Sequence, residues 1–428
     1  MPIAPGGAPR PLDAAGLFYG YIIAAVASFI MVLVFGVHYA FGIFFKPVMT
    51  DFGWTRAATA GAFSLVWVVH GVLALAMGDL NDRIGPRAVL TAGGILVGAG
   101  FLLMSTIGAI WQLYLYYGVI VGAGLGGTFV PLTSTTARWF VARRGLVTGI
   151  VAAGVGIGAL IGPPIASALI RAYDWRVSYR ILGAIVLVGG VTAAQWLRRD
   201  PAQMGLRAFG ESGDGTNRPL DAHIGLTLRA ALATPQFWSA VTVFFCYGFA
   251  LSAILLHLAP HATDLGISTT MAANILATLG GVSVIGKVAM GGLVDAIGNK
   301  KVYLISFALM VASLLWLVKI TEPWMFFAFA AIFGFAYGGL ATAHSPIVAW
   351  LFGMRRHGVV FGACFNGWTL GCAIGPLVAG YLYDRQHNYE MAFMICAAMA
   401  FAGLLLTLRL TPVSTATAIG GRPLKQGA

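Results

Sequence analysis

The sequence predicts an all-α membrane protein of twelve transmembrane helices, arranged as two pseudo-symmetric six-helix bundles. Three observations carry that prediction: 59% of the 428 residues are hydrophobic against 9% charged, twelve long apolar runs follow one another, and the chain repeats itself at an offset of 213 residues. A soluble domain carries about 25% charged residues, so water is not the main solvent of this chain. Crossing a hydrocarbon core takes roughly 20 apolar residues per helix. The runs are continuous rather than alternating, which argues against an outer-membrane β-barrel.

Read in order, helices are expected over 17–45, 57–79, 88–108, 111–136, 146–172, 177–197, 236–260, 270–295, 301–320, 323–352, 357–383 and 391–410. Residues 1–16 are too polar for a cleaved signal peptide and the first run is too long for its apolar core, so that run is expected to stay as the first helix. Residues 17–197 make the first bundle and 236–410 the second. Between them, 198–235 is rich in Arg, Gly and Asp, too short and polar for a domain, and reads as a cytoplasmic linker. Residues 411–428 read as a disordered cytoplasmic tail. Cys246, Cys364, Cys372 and Cys396 all fall in apolar runs without disulfide or metal spacing and read as packing residues. Trp54, Trp111, Trp238 and Trp324 flank the runs as interfacial anchors.

An even helix count puts both termini on one side. With the termini inside, the inner segments hold 18 Lys and Arg against 7 in the outer ones, the bias of a cytoplasmic N-terminus. The expectation is a multi-pass protein of the cell inner membrane. The same bias accounts for the net charge of +12 without a nucleic-acid partner.

The repeat is the strongest organisational signal. Gly78-x-Leu80-x-Asp82-Arg83-x-Gly85-x-Arg87, after the second helix, recurs as Gly291-x-Leu293-x-Asp295-Ala296-x-Gly298-x-Lys300 after the eighth. Gly149, Gly158, Gly162 and Pro163 recur as Gly362, Gly371, Gly375 and Pro376. Two such halves leave a cavity between them that opens to either side by rocking. The first of these loops resembles the G-x-L-x-D-R-x-G-x-R signature of the major facilitator superfamily throughout, and the second departs from it at Ala296. The resemblance implies a gating role for Gly78, Asp82, Arg83, Gly85, Arg87 and Asp295. The helix-five glycines are similar to that superfamily's antiporter motif, but small residues serve close helix packing first, and they are read so here. Gly122 to Gly127 spells G-x-G-x-x-G inside an apolar helix, which is no dinucleotide site.

Charges at membrane depth cost roughly 2.5–3.5 kcal/mol for a central lysine on insertion scales, so each one is a functional hypothesis. One occurs here, Lys287 in the eighth helix, with no Asp or Glu deep in any run to neutralise it. A buried cation facing a central cavity calls for an anion, such as a substrate carboxylate. The competing reading is a lysine snorkelling to the inner surface.

The stretches YAFGIFFKPVMTDFGWTRAATAGAFS from Tyr39 and HLAPHATDLGIS from His257 resemble bacterial members of the monocarboxylate transporter and oxalate/formate antiporter group. In that group an arginine at the position of Lys287 holds the substrate carboxylate, and lysine offers a point charge in place of a bidentate fork. Ser283 stands where animal monocarboxylate carriers place an aspartate, and Tyr39 where they place a lysine. No second cation occurs around Phe365 and Asn366, which favours a monoanion.

Lys287, Tyr39, Ser283, Tyr337 and Asn366 are therefore the candidate substrate-binding residues. Tyr337 is favoured because the tenth helix lines the cavity in the superfamily, and Tyr247 is a further possible donor. His38 and Lys287 are the candidates for carrying a proton, since imidazole titrates near neutrality and burial lowers a lysine's pKa. His70 and His344 rank below them, and His257 and His261 read as gate or surface residues.

The expected function is secondary active transport of small monocarboxylates resembling lactate or pyruvate, coupled to protons, by a monomer working through alternating access. The alternatives are exchange of organic anions and export of cationic drugs. Drug pumps of that kind use an embedded carboxylate, which this chain lacks. A receptor would need a signalling domain, which the linker is too short to be. No helix shows a metal pair or a catalytic arrangement, so no enzyme activity, cofactor or metal is expected.

Overall fold

Hydrocarbon offers no hydrogen-bond partners, so a chain this apolar must satisfy its backbone within each crossing segment, and helices do so. In the computed structural model, which describes residues 18–140, 144–210, 225–353 and 357–413, twelve helices are long and apolar enough to span a membrane. The first half holds α1 (Tyr19–Tyr39, continued after a tight turn at Ala40 as Phe41–Phe52), α2 (Arg56–Ile84), α3 (Pro86–Met104), α4 (Ile110–Trp139), α5 (Arg144–Ala172) and α6 (Trp175–Ala194). The second holds α7 (Pro235–Asp264), α8 (Thr269–Ile297), α9 (Asn299–Leu317), α10 (Pro323–Phe352), α11 (His357–Gln386) and α12 (Glu390–Arg409). α1 and α7 run beyond the expected ends because Pro47 and Pro260 are accommodated inside them.

The duplication is visible in the backbone. α2 and α8 both have 29 residues, and both end on a glycine whose amide donates to the carbonyl four residues back. Gly85 has φ +88° and Gly298 φ +89°, a left-handed conformation that costs only glycine nothing. α3 and α9, 19 residues each, start at the next residue. Arg83 and Arg87 are exposed at this end, and the side chains of Asp82 and Asp295 lie outside the described residues. In the second copy Lys300 donates to the carbonyls of Leu408 and Leu410, at 2.8 and 2.9 Å, and caps the end of α12.

The halves meet where α2 packs on α11 and α5 on α8. The linker follows the end that bears the chain termini: Phe209 donates to Trp139 O and Leu226 to Phe352 O. Val413 donates to Leu351 O, so the first residues of the expected tail are docked. Residues 1–17, 211–224 and 414–428, which include the N-terminal segment and most of the expected tail, lie outside the described residues. Trp111, Trp238 and Trp324 are exposed, as interfacial anchors should be, whereas Trp54 stacks on Phe52.

The helix-five glycines are contact points. A Cβ on Gly162 would sit 2.0 Å from Gly36 O of α1, and one on Gly158 2.7 Å from Gly36 N, while one on Gly149 would meet nothing within 4 Å among the described residues. Gly162→Ala should therefore lower the thermal stability of the purified protein by about 1–3 kcal/mol, the cost of overpacking, with Gly149→Ala close to wild type. Equal melting temperatures for the two variants would refute this packing.

Candidate functional site

Lys287 is placed by a backbone contact. A Cβ on Gly338 of α10 would lie 2.4 Å from Ser283 O and 2.7 Å from Lys287 N, so only glycine lets α10 approach α8 here. Thr342 Oγ1 then donates to Lys287 O at 3.2 Å. The same contact brings Tyr337 beside the lysine, with Nζ 5.3 Å from the ring centroid, a cation–π arrangement. Among the described residues no carboxylate pairs with Lys287. Tyr337 interacts through its hydroxyl with Tyr39 of α1, across the interface between the halves. Tyr247 of α7 stacks on Tyr337 at 6.4 Å, and its hydroxyl donates to Tyr337 O at 3.4 Å.

The structure thus joins Lys287, Tyr337 and Tyr39. It does not bring Ser283 or Asn366 to them. The Ser283 hydroxyl is fully buried against α5 and donates to Gly280 O at 2.7 Å, within its own helix. Asn366 is exposed on the stripe of α11 that carries Val359, Leu370, Leu377 and Tyr381, opposite the face where Trp368 meets α2. The cause is helical phase: Phe365, one residue away, points inward towards His344.

His38 is completely buried. Its Nδ1 lies 3.0 Å from Tyr117 Oη, and its ring stacks on Phe63 at 5.2 Å. Tyr117 escaped the sequence reading because one more tyrosine in an apolar helix carries no signal. It sits in a π-helical stretch of α4, Tyr114–Val121, and such wide turns recur at functional sites.

At the end away from the chain termini, a polar cluster joins the two halves. Arg56 of α2 is 5% exposed, pairs with Asp264 of α7 at 2.6 Å, donates to the Tyr389 hydroxyl, and lies 3.6 Å from the centre of the Tyr383 ring. Lys46 of α1 also reaches Asp264, at 3.0 Å. Asp384 of α11 accepts from the amides of Arg56 and Ala57, at 2.9 and 2.8 Å, and Thr55 accepts from Ala58. A carboxylate from one half thereby caps the α2 N-terminus in the other. His257 is buried in this cluster rather than at the surface. Its Nε2 faces the Pro376 carbonyl at 2.9 Å and must carry the proton, leaving Nδ1 to accept from Tyr389 at 2.9 Å. Burial pushes the Tyr389 hydroxyl well up, so it keeps the proton it donates. A cavity of about 730 Å³ opens nearby, between Lys46 and Asp51 of α1 and the α7–α8 turn, and its walls include none of the residues around Lys287.

The sequence profile of the Major Facilitator Superfamily matches residues 24–289 and 258–427. The chain belongs to the major facilitator superfamily. It is a membrane transporter of that superfamily, not an enzyme, and it is related to monocarboxylate transporters and to an oxalate/formate antiporter. It is 29% identical over 407 residues to monocarboxylate transporter 13 of Rattus norvegicus, spanning 91% of this chain and 89% of that protein. It is 28% identical over 415 residues to the oxalate:formate antiporter of Oxalobacter formigenes, spanning 95% and 93%. A bacterial homologue of the human lysosomal transporter Spinster, solved in an inward-facing, unoccupied conformation, shares the fold with a TM-score of 0.70 at 16% identity, over 92% and 94% of the two chains.

The Arg56 cluster ties the two halves together at this end, in the manner of a latch. Removing Arg56, itself buried, would leave the Tyr389 hydroxyl and one Asp264 oxygen without their partner, which costs more than the loss of an exposed pair. Arg56→Gln should open that end, which is read as the distance between spin labels at Tyr173 and Leu265, both exposed on opposite halves, with the four native cysteines buried. A longer population should appear in the variant. An unchanged distance distribution would show that Arg56 does not hold the end shut.

Proposed function

We propose that this transporter carries small monocarboxylates across the cell inner membrane by alternating access, with protons travelling alongside. The single observation that carries the reading is Lys287: a cation at membrane depth, without a carboxylate partner among the described residues, set beside Tyr337 and Tyr39 where the two halves meet. A bound carboxylate supplies the missing charge, and the two phenols supply hydrogen bonds to it. One cation matches one negative charge. The relatedness to proteins named as monocarboxylate transporters and an oxalate:formate antiporter supports the same class of cargo.

His38 is the proton carrier in this reading. It adjoins Tyr39, is held by Tyr117, and leaves Nε2 without a partner among the described residues. With both termini cytoplasmic, as the 18 to 7 distribution of basic residues indicates, the latch end is the outer one and the state described is closed to the outside. A single chain supplies both halves, so a monomer is sufficient. Exchange of one anion for another needs the same lysine and no proton carrier.

Uptake into liposomes by the purified protein tests this, with labelled lactate, pyruvate, formate and oxalate, with and without an imposed pH gradient. Monocarboxylate uptake should rise when the outside is acid and fall at least about tenfold in Lys287→Ala, the loss of one charged hydrogen bond. Lys287→Arg should keep most of it. Uptake indifferent to the gradient but stimulated by internal anion would replace symport with exchange. Normal carboxylate uptake by Lys287→Ala would end the anion-site reading.

A further inference from the structure

Five ring nitrogens near the contact between the halves are buried without a hydrogen-bond partner among the described residues: Nε1 of Trp67 and of Trp368, Nε2 of His38 and of His344, and Nδ1 of His70. Trp67 of α2 and Trp368 of α11 meet edge to face across the interface, with centroids 5.0 Å apart. His70 is 5.6 Å from Trp67 and His38 5.3 Å from it. His344 closes the far side, 6.1 Å from Phe365, which stacks on Trp368. An unmade hydrogen bond in such a place is costly, and native interiors rarely gather several. An indole has a donor and no acceptor, so the two tryptophans cannot satisfy each other.

The cluster adjoins the carboxylate anchor. Tyr39, His38 and Trp67 follow one another in ring-to-ring steps of 5.3 Å. Cations are missing here: the apolar runs hold no Lys or Arg at depth other than Lys287, so a second carboxylate would be buried among neutral rings, which burial opposes. An uncharged oxygen has no such cost. It accepts from the indoles, and a hydroxyl also donates to an imidazole.

Resting on the reading of Lys287 as the carboxylate anchor, we propose that Trp67, Trp368 and His70 form a second subsite for an uncharged hydroxyl or carbonyl oxygen at the far end of the cargo. The preferred substrates are then monocarboxylates longer than lactate, with the second oxygen several carbons from the carboxylate.

Matched acids that differ only by that oxygen test the subsite: butyrate against 4-hydroxybutyrate, and hexanoate against 6-hydroxyhexanoate, each competing for uptake of labelled 4-hydroxybutyrate in liposomes. Wild type should prefer the hydroxylated member of at least one pair by about tenfold, the worth of a hydrogen bond to an otherwise orphaned donor. Trp67→Phe and Trp368→Phe keep the ring and lose the N–H, and each should erase the preference while leaving competition by the plain acid within about twofold. His70→Phe is the further variant should an indole replacement fail to fold, and the wild-type preference needs no variant. No preference in wild type, a preference that survives the substitutions, or an equal loss for both members of a pair would each overturn the subsite. Lys287→Ala separates the two claims: loss of all four acids there, with no pair preference in wild type, sinks the subsite and keeps the anchor. Full transport of all four by Lys287→Ala sinks the anchor.

Discussion

Everything distinctive about this chain depends on one close approach, the α10 backbone at Gly338 lying against α8 at Ser283 and Lys287. A side chain at 338 would push the helices apart and carry Tyr337 away from the lysine. With the helices in contact, the aromatic ring and the hydroxyl of Tyr337 face Lys287 and Tyr39, and a charge that hydrocarbon penalises stands at the seam between two rigid bundles. Placed on the lipid side it would be a liability. At the seam it is available to whatever anion enters there.

Duplication built the scaffold, and the chemistry lies where the copies differ. The 213-residue offset preserves helix lengths, the positive-φ glycines and the packing glycines. Carried over the same offset, Lys287 corresponds to Ala74, Tyr337 to Gly124, Trp67 to Gly280 and Trp368 to Val155. The latch is unsymmetrical too, since Arg56 corresponds to Thr269 and Asp384 to Arg171. Shared positions serve helix contact and loop geometry, which both halves need. Unshared ones meet at the single interface, where one copy of each group is enough.

This division explains what was legible beforehand. Helix count, the repeat and the loops could be read because they rest on hydropathy and on glycine, whose effects are local. Lys287 stood out because a charge in an apolar run has no bland background to hide in. Asn366 shows what a sequence hides: a neighbour one residue on stands about 100° round a helix, so Phe365 and Asn366 face different ways. Ser283 was put at the site from its place in the family pattern, but a hydroxyl has its own helix carbonyl to bond, and it does. Tyr117, Trp67 and Trp368 were passed over as ordinary aromatic residues. The meeting of Trp67 with Trp368 of α11 could be supplied by the fold alone. The latch drew on Arg56, Asp264 and Asp384, which in the sequence are three unremarked charges at helix ends.

The site and the latch are mechanically connected because the same two helices carry both. α1 holds His38 and Tyr39 near its middle and Lys46 two turns further on, while α7 holds Tyr247 near its middle and His257 and Asp264 towards its end. Each contributes a phenol to the Lys287 group and a charge to the Asp264 group. Along α1 the tight turn at Ala40 lies between the two groups, and along α7 Pro260 does, so the path from one group to the other crosses one irregular step in each helix. The latch is a set of charge pairs with narrow geometric tolerance, particularly the Asp384 cap, whose two hydrogen bonds require the α2 N-terminus in place. In the proposed reading, an anion drawing Lys287, Tyr337 and Tyr39 together would reach the closed end through α1 and α7. Any such coupling would act equally in both directions, so opening the latch would in turn loosen the contact of Tyr39 with Tyr337.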